Sequence, residues 1–102
     1  MNDLKKRFEE NELICEKVID LFTLFSNKAR FRILCMLLEG DFCVTEIVET
    51  VKIGKISNVS QQLRLLTLAG LLEKRRDKKR IIYHLKDEKI KKVIQFFQEN
   101  YL

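Results

Sequence analysis

The sequence predicts a mainly α-helical domain with one small β-hairpin, in the order α-α-α-α-β-β-α over residues 1–102. Apolar residues recur at helical spacing through most of the chain, which has no proline and only three glycines. Near the C-terminus the pattern changes to the alternation of a strand, at Ile81, Tyr83 and Leu85. With 46% hydrophobic and 34% charged residues, the chain can form a single domain with a core and a polar surface.

The first helix is predicted over about residues 4–25. Its apolar residues share one face: Ile14, Val18, Leu21, Phe22 and Phe25. Ser26 or Asn27 can cap a second helix, because their side chains accept hydrogen bonds from the free N–H groups of its first turn. This helix is expected to end near Glu39, and Gly40 then suits the left-handed residue that follows many helices.

A third helix, a tight turn and a fourth helix are predicted next. Asp41–Val44 is short and extended, and Thr45 can cap the third helix, which reaches about Val51. Gly54 is expected to supply a positive φ in the turn. The fourth helix is predicted from Ser57 to Ala69. Its apolar face consists of Val59, Leu63 and Leu66.

The two predicted strands, about 71–76 and 81–85, form a hairpin with a basic tip. Lys74–Arg80 contains six positive residues and one negative residue, so this segment alone equals the net charge of +5. A run of charge is commonly a solvated surface, but its concentration here favours attraction of a polyanion. Asp87 can cap a final helix that extends to Leu102.

Two helices joined by a glycine turn and followed by a basic hairpin form a winged helix-turn-helix. The start of the fourth helix carries short polar side chains that can reach base edges in a major groove: Ser57, Asn58, Ser60 and Gln61. Basic side chains around it are candidates for phosphate contacts: Lys55, Arg64, Arg76, Lys78, Lys79 and Arg80. Ser57 and Asn58 can instead cap their helix, and capping is compatible with DNA contact.

Three segments of the chain follow a known pattern: Leu24-Phe25-Ser26-Asn27-x-x-Arg30-x-Arg32-Ile33-Leu34, Ser57-x-x-Ser60-Gln61-Gln62-Leu63-x-x-Leu66-x-x-Ala69-Gly70-Leu71-Leu72, and Arg75-Arg76 followed by Ile82-Tyr83-His84-Leu85. In this order and spacing they resemble the ArsR/SmtB family of bacterial repressors, over roughly residues 18–101. The chain departs from the family at the wing tip, where Asp77, Lys78 and Lys79 replace the usual glycine. It also has Gln62 where many members have histidine, which is similar to the redox-responsive branch.

The resemblance implies a homodimer that binds double-stranded DNA and is released by an inducer. The apolar faces of the terminal helices have little of their own domain to cover them, so they would pack against a second copy. A twofold dimer places two recognition helices about one DNA turn apart, roughly 34 Å, and predicts an operator that is an imperfect inverted repeat. No resident cofactor is implied.

The thiol-sensing branch is the main prediction for the inducer. The segment Leu34–Phe42 is similar to the branch that senses reactive sulfur or oxidants, in which a cysteine at the place of Cys35 pairs with one near the end of the last helix. Here the last residues contain no cysteine. Cys35 would therefore act alone, as a sulfenic acid or persulfide, or pair with Cys15 or Cys43. Alternatively, Cys35 is a small hydrophobe on the apolar face of its helix.

A metal-responsive repressor is the alternative that involves Cys43 and Glu46. Metal-binding members carry Cys-x-Cys or Cys-x-x-Asp at the start of the third helix, whereas this chain has Thr45 at the second cysteine and Glu46 at the acidic position. A site for a soft metal needs three or four ligands. Because the sequence offers only half of this motif, no metal site is the first expectation.

Other functional classes have weaker support in the sequence. It contains no phosphate loop, nucleophile elbow or acid/base pair in a cleft-forming context, so an enzyme is not predicted. A winged-helix module that binds protein remains an alternative, against which the basic hairpin argues. The odd number of cysteines, three, does not suggest a disulfide framework. No apolar run approaches the roughly 20 residues of a membrane span, and the mixed charges at the N-terminus do not suggest a signal peptide, so we expect a cytoplasmic protein.

Overall fold

A computed structural model describes all of residues 1–102. The predicted fold class, a mainly α-helical winged helix-turn-helix, is confirmed, with one more helix and one more strand than expected. The elements are α1 (Asn2–Glu10), α2 (Glu12–Phe25), α3 (Lys28–Glu39), β1 (Phe42–Cys43), α4 (Val44–Val51), α5 (Ile56–Leu68), β2 (Leu72–Asp77), β3 (Arg80–Leu85) and α6 (Glu88–Tyr101). No helix is both long enough and apolar enough to cross a membrane.

The helix predicted over about 4–25 is wrong as a single element, because the chain breaks at Asn11. This residue leaves the helical region, with φ −120° and ψ 30°. Its side-chain amide donates a hydrogen bond to the carbonyl oxygen of Arg7 at 2.7 Å, which satisfies a carbonyl that the end of α1 leaves free. Asparagine side chains compete with the helical backbone in this way. None of the residues of α1 is buried.

Two predicted caps are confirmed and two predictions about helix ends are wrong. Asn27 accepts a hydrogen bond from the backbone N–H of Arg30 at 3.0 Å, and Asp87 accepts one from Lys89 at 2.7 Å. Gly40 is not left-handed: its φ of 170° is extended, because the chain continues from α3 directly towards β1. The third predicted helix, α4, is not capped by Thr45, since it begins earlier, with Cys43 as its N-cap.

The core forms around α3, which packs against α2, α4, α5 and α6. Every buried residue is hydrophobic. The main cluster consists of Ile33, Leu34, Leu37, Ile47, Val51, Val59, Leu63, Leu66, Leu71, Leu72, Leu85, Ile90 and Ile94. It includes the complete predicted apolar face of the fourth helix, α5. Because this face is anchored in the core, the opposite face of α5 is directed to solvent.

The hairpin is part of a three-stranded antiparallel sheet with the order β1-β3-β2. The segment before α4 was expected only to be extended, but it pairs with β3, with Phe42 opposite Tyr83. This pairing ties the hairpin to the body of the domain. At the tip, Lys78 adopts a positive φ of 58° without the help of glycine. Its carbonyl oxygen accepts a hydrogen bond from Nε of Arg76 at 3.1 Å, which braces the turn.

Candidate nucleic-acid interface

The turn between α4 and α5 fixes the direction in which α5 leaves the body. Lys52 ends α4 in the left-handed region, with φ 54°, and Gly54 follows with φ 75°. The predicted positive φ at Gly54 is therefore confirmed. A Cβ at this position would lie 2.6 Å from Nδ2 of Asn58, so the turn requires glycine for space as well as for backbone conformation.

The exposed side of α5 carries four of the predicted contact residues in one stripe. Ser57, Ser60, Gln61 and Arg64 are spaced as i, i+3, i+4 and i+7, so they share a face of the helix, and all four are exposed. Lys55, the N-cap residue, is exposed beside them. The side-chain hydrogen bonds of α5 within the chain belong to other residues, so this polar stripe is free to meet a partner.

Asn58, also predicted to contact DNA, lies outside the polar stripe. It is half-buried, and its Nδ2 is 3.5 Å from the carbonyl oxygen of Ile53. Its Oδ1 accepts a hydrogen bond from Nε2 of Gln62 at 3.3 Å. The structure thus turns this amide towards the helix-turn-helix turn. Sequence spacing could not distinguish Asn58 from its neighbours, because its partners lie in the turn and on the same helix.

The hairpin has two chemically different faces. Side chains alternate along a strand and opposite residues share a face, so the strand register assigns each residue to one side. The front face carries Lys74 opposite Tyr83, and Arg76 opposite Ile81. It is turned towards α5. Together the two elements enclose a cleft of about 550 Å³ lined by Ser60, Arg64, Thr67, Leu68, Lys74 and Tyr83.

The back face of the hairpin neutralises its own positive charge. Nη1 of Arg75 is 2.9 Å from Oδ2 of Asp41, and Nε2 of His84 is 3.2 Å from Oε2 of Glu73. Arg80 belongs to this face by alternation, since it lies opposite Asp77. The basic residues of the front face have no such acidic neighbours in the structure. The positive charge available to a polyanion is therefore on the side of the hairpin that faces the polar stripe.

The structure separates the predicted phosphate contacts accordingly. Lys78 and Lys79 are exposed at the hairpin tip, and Arg76 lies on the front face. Arg80 is on the other side. Lys74 was counted in the basic run but was not singled out from the sequence, and it joins the front face. The signal that could have found it is its alternation with Arg75 and Arg76 along the strand.

Glu46 and Cys43, the pair of the metal alternative, are neighbours that act as a helix cap. Glu46 accepts a hydrogen bond from the backbone N–H of Cys43 at 3.0 Å. This bond is the main reason that the pKa of Glu46 lies below its usual value; a hydrogen bond from the Cys43 side chain and the charge of Arg80 act in the same direction. No group of three or more His, Cys, Asp or Glu side chains in the chain is arranged to hold a metal ion.

The three cysteines are all free thiols in different surroundings. Cys43 is buried, whereas Cys15 on α2 and Cys35 on α3 are half-buried. Burial raises the pKa of the Cys35 thiol, and a hydrogen bond with Gln98 partly opposes this effect. Gln98 belongs to α6, and its Nε2 also lies 3.4 Å from the carbonyl oxygen of Cys35. The side chain of the last helix that meets Cys35 is thus a glutamine.

A large apolar surface is exposed on α1, α2 and α6. Its members are Leu4, Phe8, Leu13, Ile14, Val18, Ile19, Phe22, Val93, Phe96, Tyr101 and Leu102. Beside them is an aromatic pocket of about 360 Å³ lined by Phe22, Phe25, Phe31, Phe97, Tyr101 and Leu102. Soluble monomers rarely expose a continuous apolar surface of this extent, so such a surface indicates an interface.

A helix-turn-helix whose second helix exposes a polar stripe, beside a hairpin with an unpaired basic front face, defines a winged helix-turn-helix DNA-binding domain. Residues 27–74 match the model of the arsR family of bacterial regulatory proteins. The chain belongs to this family. The fold, the turn and the hairpin described above are therefore those of an ArsR-type regulator.

Individual relatives cover most of the chain. The biofilm growth-associated repressor of Xylella fastidiosa strain Temecula1 is 34% identical over 86 residues, which are 84% of this chain and 75% of the repressor. The structure of reduced HlyU from Vibrio cholerae superposes with a TM-score of 0.85 at 29% identity, and covers 91% of this chain and 97% of HlyU. A homodimeric winged helix-turn-helix DNA-binding domain from Mycobacterium bovis shares the fold, with a TM-score of 0.76 at 24% identity over 87% of this chain and 82% of that domain.

Proposed function

We propose that the protein is a homodimeric transcriptional repressor that binds an inverted-repeat operator and is released when reactive sulfur or an oxidant modifies Cys35. The observation that carries the DNA-binding part is that the polar stripe of α5 and the unpaired basic front face of the hairpin border the same cleft. Base-reading groups and phosphate-binding groups are then presented to one ligand. Because that ligand is chromosomal DNA, the protein would act in the cytoplasm.

The homodimer is supported by the apolar surface of the terminal helices. Phe22 is 60% exposed and Phe96 is 56% exposed, although both are large aromatic residues. Covering such side chains is favourable by about 25 cal/mol per Å² of apolar area removed from water. A second copy is the partner with a matching surface, and the Xylella repressor and the homodimeric Mycobacterium domain are consistent with this assembly. One wing and one recognition helix would then come from each protomer.

Within this assembly the side chains divide into two roles. The polar stripe lies at the start of α5, where donors and acceptors reach the edges of bases in the major groove. Lys74, Arg76, Lys78 and Lys79 carry positive charge on or next to the front face, where phosphates would lie. Phosphate contacts raise affinity for every sequence, whereas base contacts favour one sequence over others.

Gln61→Ala and Lys78→Ala test this division of roles. We expect Gln61→Ala to reduce binding to a duplex selected by the wild type by about 5- to 100-fold, with little change on a scrambled duplex, because a lost base contact costs about 1–3 kcal/mol. Lys78→Ala should weaken binding to both duplexes alike and make the dependence of log Kd on log salt shallower by about one unit per protomer contact. Fluorescence anisotropy titrations at several salt concentrations measure both effects. Equal losses on both duplexes in Gln61→Ala would remove its reading role.

The inducer proposal rests on the position of Cys35 between α3 and α6. Oxidation by a peroxide converts the thiolate to a sulfenic acid and releases hydroxide, and a polysulfide transfers one sulfur atom to give a persulfide and a shorter polysulfide. Either product adds an atom to a half-buried thiol that already contacts Gln98. The contact between α3 and α6 would then have to shift. Because α6 carries part of the apolar surface, this shift would alter the dimer and lower its affinity for the operator.

Treatment with a polysulfide or peroxide should release DNA from the wild type, and Cys35→Ser should resist release. Cys15→Ser is the matched control, because it removes a half-buried thiol elsewhere and should respond like the wild type. The raised pKa of Cys35 leaves less thiolate at neutral pH, so the rate of modification should increase as the pH rises towards that pKa. Mass spectrometry of the three thiols measures the rate. Identical release of Cys35→Ser and wild type would exclude Cys35 from the mechanism.

A further inference from the structure

A chain of side-chain hydrogen bonds joins the end of α2 to the start of α5. It begins at Arg30 on α3, whose Nε donates to the carbonyl oxygen of Leu24 at 2.9 Å. Nη2 of Arg30 lies 3.4 Å from the carbonyl oxygen of Thr23. Both carbonyls belong to the last turn of α2, where the helix itself provides no donors for them. Arg30 therefore attaches α3 to the end of α2.

The same guanidinium also reaches α5. Nη1 of Arg30 donates to Oε1 of Gln62 at 2.8 Å, a contact between residues that are 32 positions apart in the sequence. The planar guanidinium holds its donors in a fixed arrangement, so the bonds to α2 and to α5 constrain each other. Gln62 is half-buried, which shields these bonds from competing water.

Gln62 and Asn58 continue the chain into the helix-turn-helix turn. Gln62 accepts from Arg30 and donates from Nε2 to Oδ1 of Asn58 at 3.3 Å. Nδ2 of Asn58 then reaches the carbonyl oxygen of Ile53 at 3.5 Å, directly over Gly54. The resulting chain of three side chains lies along the edge of α5, between its buried apolar face and its exposed polar stripe.

We propose that Arg30, Gln62 and Asn58 are positioning residues that fix the orientation of α5 relative to the end of α2, and so the alignment of the polar stripe with base edges. The inference rests on the proposed function and adds residues that touch no DNA in that role. Apolar packing is not directional, so the core alone tolerates small rotations of α5, whereas hydrogen bonds weaken steeply when their angles change. Because α2 carries part of the apolar surface, the same chain would transmit a shift of α2 to the reading surface.

Gln62→Leu breaks both links of Gln62 and keeps a side chain of similar length. For each variant we would measure Kd for a duplex selected by the wild type and for a scrambled duplex of the same length. We expect the ratio of the two constants to fall about tenfold, the value of one to two hydrogen bonds, with no change in binding to scrambled DNA or in the salt dependence. Arg30→Met should give a similar loss, and the double variant should lose no more than either single variant.

Arg32→Met is the matched control. Arg32 lies on the same helix and donates to the carbonyl oxygen of Val51 at 3.0 Å, but it has no link to α5. Its removal should leave the ratio of the two constants unchanged. Circular dichroism would establish that each variant is folded. If Gln62→Leu does not fold, Gln62→Glu provides the test, because it keeps the acceptor for Arg30 and loses the donor to Asn58; its ratio should fall by a smaller factor.

A wild-type ratio in a folded Gln62→Leu or Gln62→Glu variant would overturn the inference while leaving the proposed function intact. Strictly additive losses in the Arg30→Met and Gln62→Leu double variant would also contradict it, since they would show that the two residues act separately. A wild-type protein that binds selected and scrambled DNA equally would instead contradict the proposed function, and this inference with it.

Discussion

At the scale of single residues, Gly54 is the position where backbone and packing both restrict the side chain. Its φ is 75°, and an added Cβ would meet Nδ2 of Asn58 at 2.6 Å. Gly40 provides the opposite case: its φ of 170° is open to any residue, and an added Cβ would lie 3.5 Å from the ring of Phe42, an ordinary contact. The chain thus contains its own comparison between a required and a replaceable glycine.

Gly54→Ala should therefore destabilise the fold and Gly40→Ala should not. A left-handed conformation costs an L-residue about 1–2 kcal/mol, and the displacement of Asn58 adds to this cost. At Gly40, alanine should be neutral or should stabilise by up to about 1 kcal/mol, because it restricts the unfolded chain. Urea unfolding followed by circular dichroism measures both free energies of unfolding. An equal loss of stability in the two variants would contradict this reading of the turn.

Residues whose role depends on local chemistry could be predicted from the sequence. Asn27 and Asp87 are caps as expected, and Gly54 has its positive φ, because each follows from a preference of one residue type at one position. Asn58 and Gln98 could not be assigned in this way. Their partners, Gln62 with Ile53 and Cys35 respectively, are known only once the helices are packed.

At the scale of elements, the hairpin shows how strand register separates equivalent charges. Lys74 and Arg75 are adjacent in a basic run, yet Lys74 faces the cleft beside α5 and Arg75 is paired with Asp41 on the back face. Composition reveals the charge of the run, but not which half of it is already neutralised. That information depends on β1 and α4, which supply the acidic partners.

Lys74→Ala and Arg75→Ala test this separation, since each removes one positive charge from the same strand. Lys74→Ala should weaken binding to all duplexes and reduce the salt dependence, because the residue meets a phosphate. Arg75→Ala should leave DNA affinity nearly unchanged and cost at most about 1 kcal/mol of stability, the usual range for an exposed ion pair. Anisotropy titrations and thermal unfolding measure the two effects. The assignment of faces would be wrong if Arg75→Ala weakened DNA binding as much as Lys74→Ala.

The elements themselves were predictable where hydrophobic period and length are sufficient. The apolar face of α5 was identified in full, since Val59, Leu63 and Leu66 follow the helical period and are buried. The break at Asn11 and strand β1 were not identified. Asn11 interrupts the helix through its own side chain, and a strand of two residues exists only because β3 lies beside it.

At the scale of the whole molecule, the account depends on two copies that act together. The terminal helices expose aromatic and aliphatic residues that one copy leaves uncovered, whereas the polar stripe and the front face of the hairpin lie on other elements. Association through α1, α2 and α6 would leave both reading surfaces free. The distance between the two recognition helices would then set the spacing of half-sites on DNA.

A chemical footprint on a duplex selected by the wild type from a random pool tests this claim most directly. Methylation of guanine N7 reports on the major groove, and hydroxyl radicals report on the backbone. We predict protected guanines in two major-groove segments whose centres are about 10–10.5 base pairs apart on one side of the duplex, with protected backbone beside each where a wing would lie. A single protected half-site, or protection without any major-groove signal, would contradict the account.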